Sequence, residues 1–233
     1  MTAEVPRLVP TYDPCLWTPA RRLAVEEIGS AAALEVVDKL RRVSAADPFS
    51  VGVSAPQIGE GVAISLISEK PTPTTPYNES YQKVMFNPVV RDIDRPAMVW
   101  EGCMSFGSGS DMLYAMVKNF LHVEVGYYGL DAEWHEEEHF NLRAQIDKHE
   151  SRHNDGTPFV KYADPLTFMT AGNYRLLRYG GLVRLPWEQA PPHSMDNIKE
   201  PTLPQVRGLL AQVQHATPPD ILEAFDNRYG LAA

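Results

Sequence analysis

His149-Glu150-Ser151-Arg152-His153 is the stretch on which the reading of this chain turns, followed by Asn154 and preceded by the run from Leu142 to Lys148. On a helix, positions i and i+4 lie about 40° apart around the axis and one turn apart along it, so His149 and His153 can offer imidazole nitrogens to one ion. Glu150 then sits beside that ion rather than on it, placed to take a proton from water. Some 45 residues earlier, Glu101-Gly102-Cys103-Met104-Ser105 supplies a thiolate as the third ligand. Two histidines and one cysteine leave a fourth tetrahedral position open for water, the pattern of a catalytic rather than a structural metal site.

The rest of the composition is compatible with such an enzyme and excludes several alternatives. With 233 residues the chain is long enough for one good-sized core, and 44% hydrophobic with 22% charged residues describes a globular protein, not a disordered or fibrous one. A net charge of −9 with no cluster of lysine or arginine lacks the footprint of a nucleic-acid binder. No apolar run of membrane-spanning length occurs, and the first twenty residues lack the basic start and apolar core of a secretory signal, so a cytoplasmic setting without membrane association is expected. Only Cys15 and Cys103 are present; Cys15 reads as structural, and a reducing compartment suits a metal-binding thiolate.

Along the chain, residues 1 to 28 are proline-rich and expected to be irregular. Leu34, Val37, Leu40 and Val43 recur at helical spacing and predict an amphipathic helix from about Ser30 to Ala45. Gly52 to Gly59 carries small residues and a proline where the backbone must approach something closely. Strands are predicted at Val62 to Ile67, Lys83 to Val90, Ala97 to Trp100 and His122 to Tyr128, with a loop at 71–80. The histidine helix is predicted from Leu142 to Asn154, ending near Gly156-Thr157-Pro158. Beyond Pro165 the pattern is weaker: residues 181 to 204, rich in proline, suggest a linker or a surface strap, followed by two short helices, Gln205 to Val213 and Asp220 to Arg228. A second His-x-x-x-His run, His135 to His139, follows a turn-like segment and reads as a solvated charged loop without a metal.

Three motifs in this order resemble the peptide deformylases: Gly52-Val53-Ser54-Ala55-Pro56-Gln57-Ile58-Gly59, Glu101-Gly102-Cys103-Met104-Ser105 and His149-Glu150-Ser151-Arg152-His153. Weaker matches are Tyr12 to Leu23, Phe86 to Val90 and Gly156 to Tyr162, and the likeness spans about residues 10 to 165. The resemblance implies an α+β fold with mixed or antiparallel sheets around a central metal-binding helix. It also implies removal of a formyl group from an N-formylated peptide or small molecule. The implied cofactor is a divalent ion, ferrous iron first, with zinc, nickel or cobalt able to occupy the same ligands. Carried over by position, Cys103, His149 and His153 hold the metal, Glu150 is general base and then acid, and Gln57 with the backbone N–H of Met104 donates to the oxyanion. Gly52, Val53, Glu101, Gln145 and Ile146 are then placed against the substrate. Glu101 has an alternative reading as a structural salt-bridge partner, and Gln57 as a turn cap. A catalytic domain over 1–170 and a C-terminal extension over 171–233 complete the picture, with the oligomeric state left open.

The chain departs from the family pattern at identifiable places. Ser50 stands where the family has glycine, Ser54 where alanine is common, Arg152 where an aspartate is common, and Asn154 where leucine is common; Lys118 and Asn119 occupy the region of a missing arginine. Gln145 and Ile146 lie on the helix face that in the family lines a methionine pocket. A polar amide there costs about 1–3 kcal/mol unless it is partnered. Either the substrate is an N-formyl compound with a polar side chain, or Gln145 points away and methionine still fits. Two competing classes are a deformylase-fold binding or regulatory protein without turnover, and a zinc peptidase built on the same helix motif.

Overall fold

The computed structural model describes residues 4–47, 50–69, 81–107, 111–164 and 167–171. The loop expected at 71–80, the strap and the two C-terminal helices lie outside the described residues, as does all but the first residue of the expected extension. Ser30 starts the first helix, α1 (Ala31–Ala46), by accepting a hydrogen bond from Ala33 N–H at 3.2 Å. Its buried face is Ala33, Val36, Val37, Leu40, Val43 and Ser44. Leu34, expected on that face, is exposed; Ala33 and Val36 take its place, a rotation of the apolar stripe by part of a turn.

Five strands follow one another across an antiparallel sheet: β1 (Gly52–Ser54), β2 (Ile64–Glu69), β3 (Tyr81–Gly102), β4 (Leu113–Tyr128) and β5 (Trp134–Phe140), in that spatial order, with β6 (Met169–Thr170) pairing β4. The second helix, α2 (Leu142–Asn154), comes between β5 and β6 in the chain. This is the α+β class with antiparallel pairing that the sequence suggested. Register between β1 and β2 sets Gly52 opposite Ile67, Val53 opposite Leu66 and Ser54 opposite Ser65.

Two expectations are corrected. The separate strands predicted at 83–90 and 97–100 are one strand, β3, in which Asn87 and Arg95, each before a proline, adopt positive φ of 52° and 60°. Such residues bend a strand without ending it. Asn87 supports its bend by accepting from Leu23 N–H and donating to Leu23 C=O, both at 2.8 Å. The segment from His135 to His139 is a strand rather than a loop, paired with β4 from Tyr128↔Trp134 to His122↔Phe140. Its alternation is inverted at the ends and polar within: the apolar Trp134 and Phe140 are exposed along with Glu136 and Glu138, while His135, Glu137 and His139 are half-buried. An apolar-periodicity reading cannot see it.

The described residues group into two units. The first comprises 4–9, 13–94 and 121–158, and the second 10–12, 95–120 and 159–171. In the first, α1 and α2 both pack on β1 and β2, and the buried residues include Leu40, Val53, Leu66, Met85, Phe86 and Val125. In the second, Val99, Leu113, Ala115, Val117 and Phe159 are buried, and Phe106 meets Phe159 edge-to-face with ring centroids 5.4 Å apart. None of the described helices is long and apolar enough to cross a membrane.

Candidate metal centre

α2 is polar in sequence yet buried along most of its circumference, including Ala144, Gln145, Ile146, Asp147, Glu150, Arg152, His153 and Asn154. Burying such a helix requires partners for its charges. Asp147 Oδ2 meets His139 Nδ1 at 2.5 Å, and His139 Nε2 meets Glu137 Oε2 at 2.9 Å, so the strand once read as a loop clamps the helix. Burial works against protonation of His139, but the hydrogen bond and charge of Asp147 together with the hydrogen bond to Glu137 outweigh it and raise the imidazole pKa. α2 ends at Gly156, whose φ of +64° suits a left-handed cap; Gly156 N–H donates to His153 C=O and Thr157 N–H to Arg152 C=O.

His149 and His153 face each other across one helical turn, ring centroids 5.1 Å apart. His153 is fully buried, and that burial, reinforced by the charges of His149 and Arg152, pushes its pKa well below the ordinary imidazole value. A neutral ring is the form that ligates. Cys103 follows the end of β3, buried, in a tight turn closed by Phe106 N–H donating to Cys103 C=O at 2.9 Å. The ligating atoms of Cys103, His149 and His153 all lie within 4.8 Å of one another. A tetrahedral ion with ordinary thiolate and imidazole bond lengths separates its ligands by about 3.3–3.6 Å. The donor set and its spacing therefore fit one divalent ion, with side-chain adjustments of about 1 Å.

The other candidate residues take definite places. Glu150 is buried; its Oε2 accepts from the Ser54 hydroxyl at 2.6 Å, and its Oε1 lies where a side chain at Gly52 would put a Cβ only 2.5 Å away. Gly52 is thus required by close approach, not by a turn. Gln57 is buried, and its Oε1 accepts from Ser54 N–H at 2.8 Å, so it is a cap as one reading proposed. That bond fixes the carbonyl end of the amide and so aims the donating end the other way. Val53 is buried in β1. Glu101 is buried and accepts from Asn119 Nδ2 at 2.6 Å; Asn119 is one of the two residues standing near the family's missing arginine. Met104 lies in the Cys103 turn, and Gln145 and Ile146 are buried on α2. His135 and His139 belong to a strand, where a four-residue separation spans about 13 Å, too far for one ion.

Sequence reasoning missed Ser65 and the use made of Ser54 and Asn154. Ser54 and Ser65 are opposite one another only because of the β1–β2 register, their hydroxyls 2.9 Å apart, and Asn154 Nδ2 donates to Ser65 Oγ at 2.8 Å. The signal in the sequence was a pair of polar residues, Ser54 and Asn154, at positions where the resembled family prefers apolar ones.

Comparison with known proteins gives one answer. The family model for polypeptide deformylase matches residues 5–168. Peptide deformylase 1A, chloroplastic/mitochondrial, of Arabidopsis thaliana is 30% identical over 184 residues, covering 74% of this chain and 66% of that protein. Peptide deformylase 1A, chloroplastic, of Solanum lycopersicum is 29% identical over 192 residues, covering 78% and 68%. The chain thus spans 66% and 68% of the length of these relatives. Among solved structures, the Met-Ala-Ser-bound class I type b peptide deformylase from Acinetobacter baumannii matches with a TM-score of 0.58 at 22% identity, over 68% of this chain and 99% of that one. At that identity the likeness shows the fold.

Proposed function

The chain belongs to the polypeptide deformylase family, and on that premise we propose that it is a metal-dependent hydrolase removing the formyl group from an N-formylated peptide or related N-formyl compound. The observation that carries the proposal is the convergence of Cys103, His149 and His153 within 4.8 Å, with Glu150 on the same helix as the two histidines. When bound, a divalent ion, ferrous iron first and zinc, nickel or cobalt in the same ligands, supplies Lewis acidity to a formamide carbonyl that is otherwise a poor electrophile. Cys103 as thiolate and the two neutral imidazoles would hold it.

Glu150 takes a proton from the attacking water and returns it to the departing nitrogen, so formate and the free amine leave together. The amide N–H of Gln57 and the backbone N–H of Met104 donate to the carbonyl oxygen as negative charge develops on it. β1 stands at the end of the strand order, and among the described strands it pairs only β2, so the backbone at Gly52 and Val53 offers an edge against which an extended formyl-peptide can lie. Glu101, tied to Asn119, steadies the turn that presents Cys103. Gln145 and Ile146 are assigned to the wall beside the substrate side chain, which makes a polar-side-chain substrate the finer form of the proposal. A cytoplasmic setting that keeps both cysteines reduced is part of the same reading.

Formate release from formyl-Met-Ala and formyl-Gln-Ala, with iron loaded and oxygen excluded, tests it. Turnover of either supports the reading, and their ratio reports the role of Gln145. Bound metal without formate from any formylated substrate points instead to a binding module, for which the arginine at 152 is the motivating departure.

A further inference from the structure

Three buried side chains form a chain of hydrogen bonds that ends on Glu150. Asn154 Nδ2 donates to Ser65 Oγ at 2.8 Å, Ser65 and Ser54 hydroxyls are 2.9 Å apart, and Ser54 Oγ donates to Glu150 Oε2 at 2.6 Å. All four residues are at most 4% exposed. The direction of the chain is set at the carboxylate, which when ionised can only accept: Ser54 spends its single proton on Glu150 Oε2 and therefore accepts from Ser65, while the amide NH₂ of Asn154 donates to Ser65. Each link polarises the next toward Glu150. The second amide proton of Asn154 Nδ2 reaches the Glu150 carbonyl oxygen at 3.1 Å, which ties the relay to the helix backbone at the same residue.

The geometry points to Ser54, Ser65 and Asn154 as a positioning relay for the proton-transferring carboxylate, one that keeps Glu150 Oε2 an acceptor and makes Oε1 the oxygen that takes and returns the proton. Gly52 provides the other half of the constraint: a Cβ there would stand 2.5 Å from Oε1, so the absence of a side chain admits the carboxylate in this orientation.

The inference rests on the proposal that Glu150 moves the proton, and the experiment separates the two. Steady-state formate release is measured for the iron-loaded wild type, Ser54→Ala, Asn154→Leu and the double variant, together with high-resolution crystal structures of the wild type and Ser54→Ala. Ser54→Ala should lower kcat about tenfold with KM within about twofold, Asn154→Leu should lower it about threefold, and the double variant should be no worse than Ser54→Ala, because a relay broken at its last link gains nothing from its first. In the crystals Glu150 should hold one carboxylate orientation in the wild type and more than one in Ser54→Ala. A Ser54→Ala enzyme with unchanged kcat, or effects of the two single variants that simply multiply, overturns the relay. If the wild type releases no formate the functional proposal fails, and the crystal structures alone then decide the relay: an unmoved, single Glu150 orientation in Ser54→Ala overturns it.

Discussion

Replacing Gly52 by alanine isolates the contact between β1 and the carboxylate of Glu150. The added Cβ would lie 2.5 Å from Oε1 and 2.9 Å from both Cδ and Cγ, whereas ordinary contact begins near 3.4 Å. The carboxylate must therefore retreat by about 0.9 Å along that direction. Its other oxygen is held at 2.6 Å by Ser54, so the retreat lengthens or breaks that bond instead of being absorbed by a free swing. The colliding atoms belong to the end of a side chain and not to backbone, so the fold can accommodate the change cheaply. A displacement near 1 Å of a reacting group costs up to about 10²-fold in rate. The expected result is kcat lower by about 10- to 100-fold, metal content unchanged, and a Tm shift of only a few degrees. Formate release, metal analysis and thermal melting on the same preparations read all three. Activity within twofold of wild type would refute the reasoning, and so would a collapse of Tm that explains the lost activity.

Gln57→Leu should lose about 10²–10³ in kcat by removing an oxyanion donor, and about 1 kcal/mol of stability with the Ser54 cap, measured by formate release and urea unfolding. Gly156→Ala combines a φ of +64° with a Cβ 2.5 Å from the Thr18 backbone carbonyl carbon, so a loss of about 2 kcal/mol or more is expected in the same unfolding assay. The carboxyl of Glu137 is raised by burial, but hydrogen bonds from Lys83, Tyr127 and His139 outweigh this and lower it to about 2. A folded-state pKa below the unfolded value of about 4.3 means that its contribution is present above that value and lost as pH falls toward 2. Stability measured against pH should therefore fall less steeply across that window in Glu137→Gln than in wild type, and identical slopes would contradict the assignment.

What the sequence made legible was local chemistry with a short repeat. α2 runs from Leu142 to Asn154 as its spacing and the following Gly156 indicated, because cap and periodicity lie within the same few residues. The three soft ligands were recognisable by type, and the fold brings their donor atoms together. What escaped depended on pairing. β5 hides its alternation in glutamates and histidines whose inner members find Lys83, Tyr127 and Asp147, partners that a linear reading cannot supply. The join of β3 across Arg91 to Pro96 was invisible because this stretch is polar and its Arg95-Pro96 step looks like a break, and the positive-φ bend that keeps the strand continuous there is a property of the folded backbone. Ser54 and Ser65 are eleven residues apart in sequence, and nothing but the hairpin register sets them face to face.

The central claim is that one ion is held by the sulfur of Cys103 and the imidazoles of His149 and His153. Titration of the metal-free protein with cobalt(II), followed by the thiolate-to-metal charge-transfer absorption, tests it most directly. The account predicts saturation at one ion per chain, with the charge-transfer band abolished in Cys103→Ser and binding weakened at least about tenfold in His149→Ala and His153→Ala. A band that persists unchanged in Cys103→Ser, or tight binding that survives loss of either histidine, would contradict it.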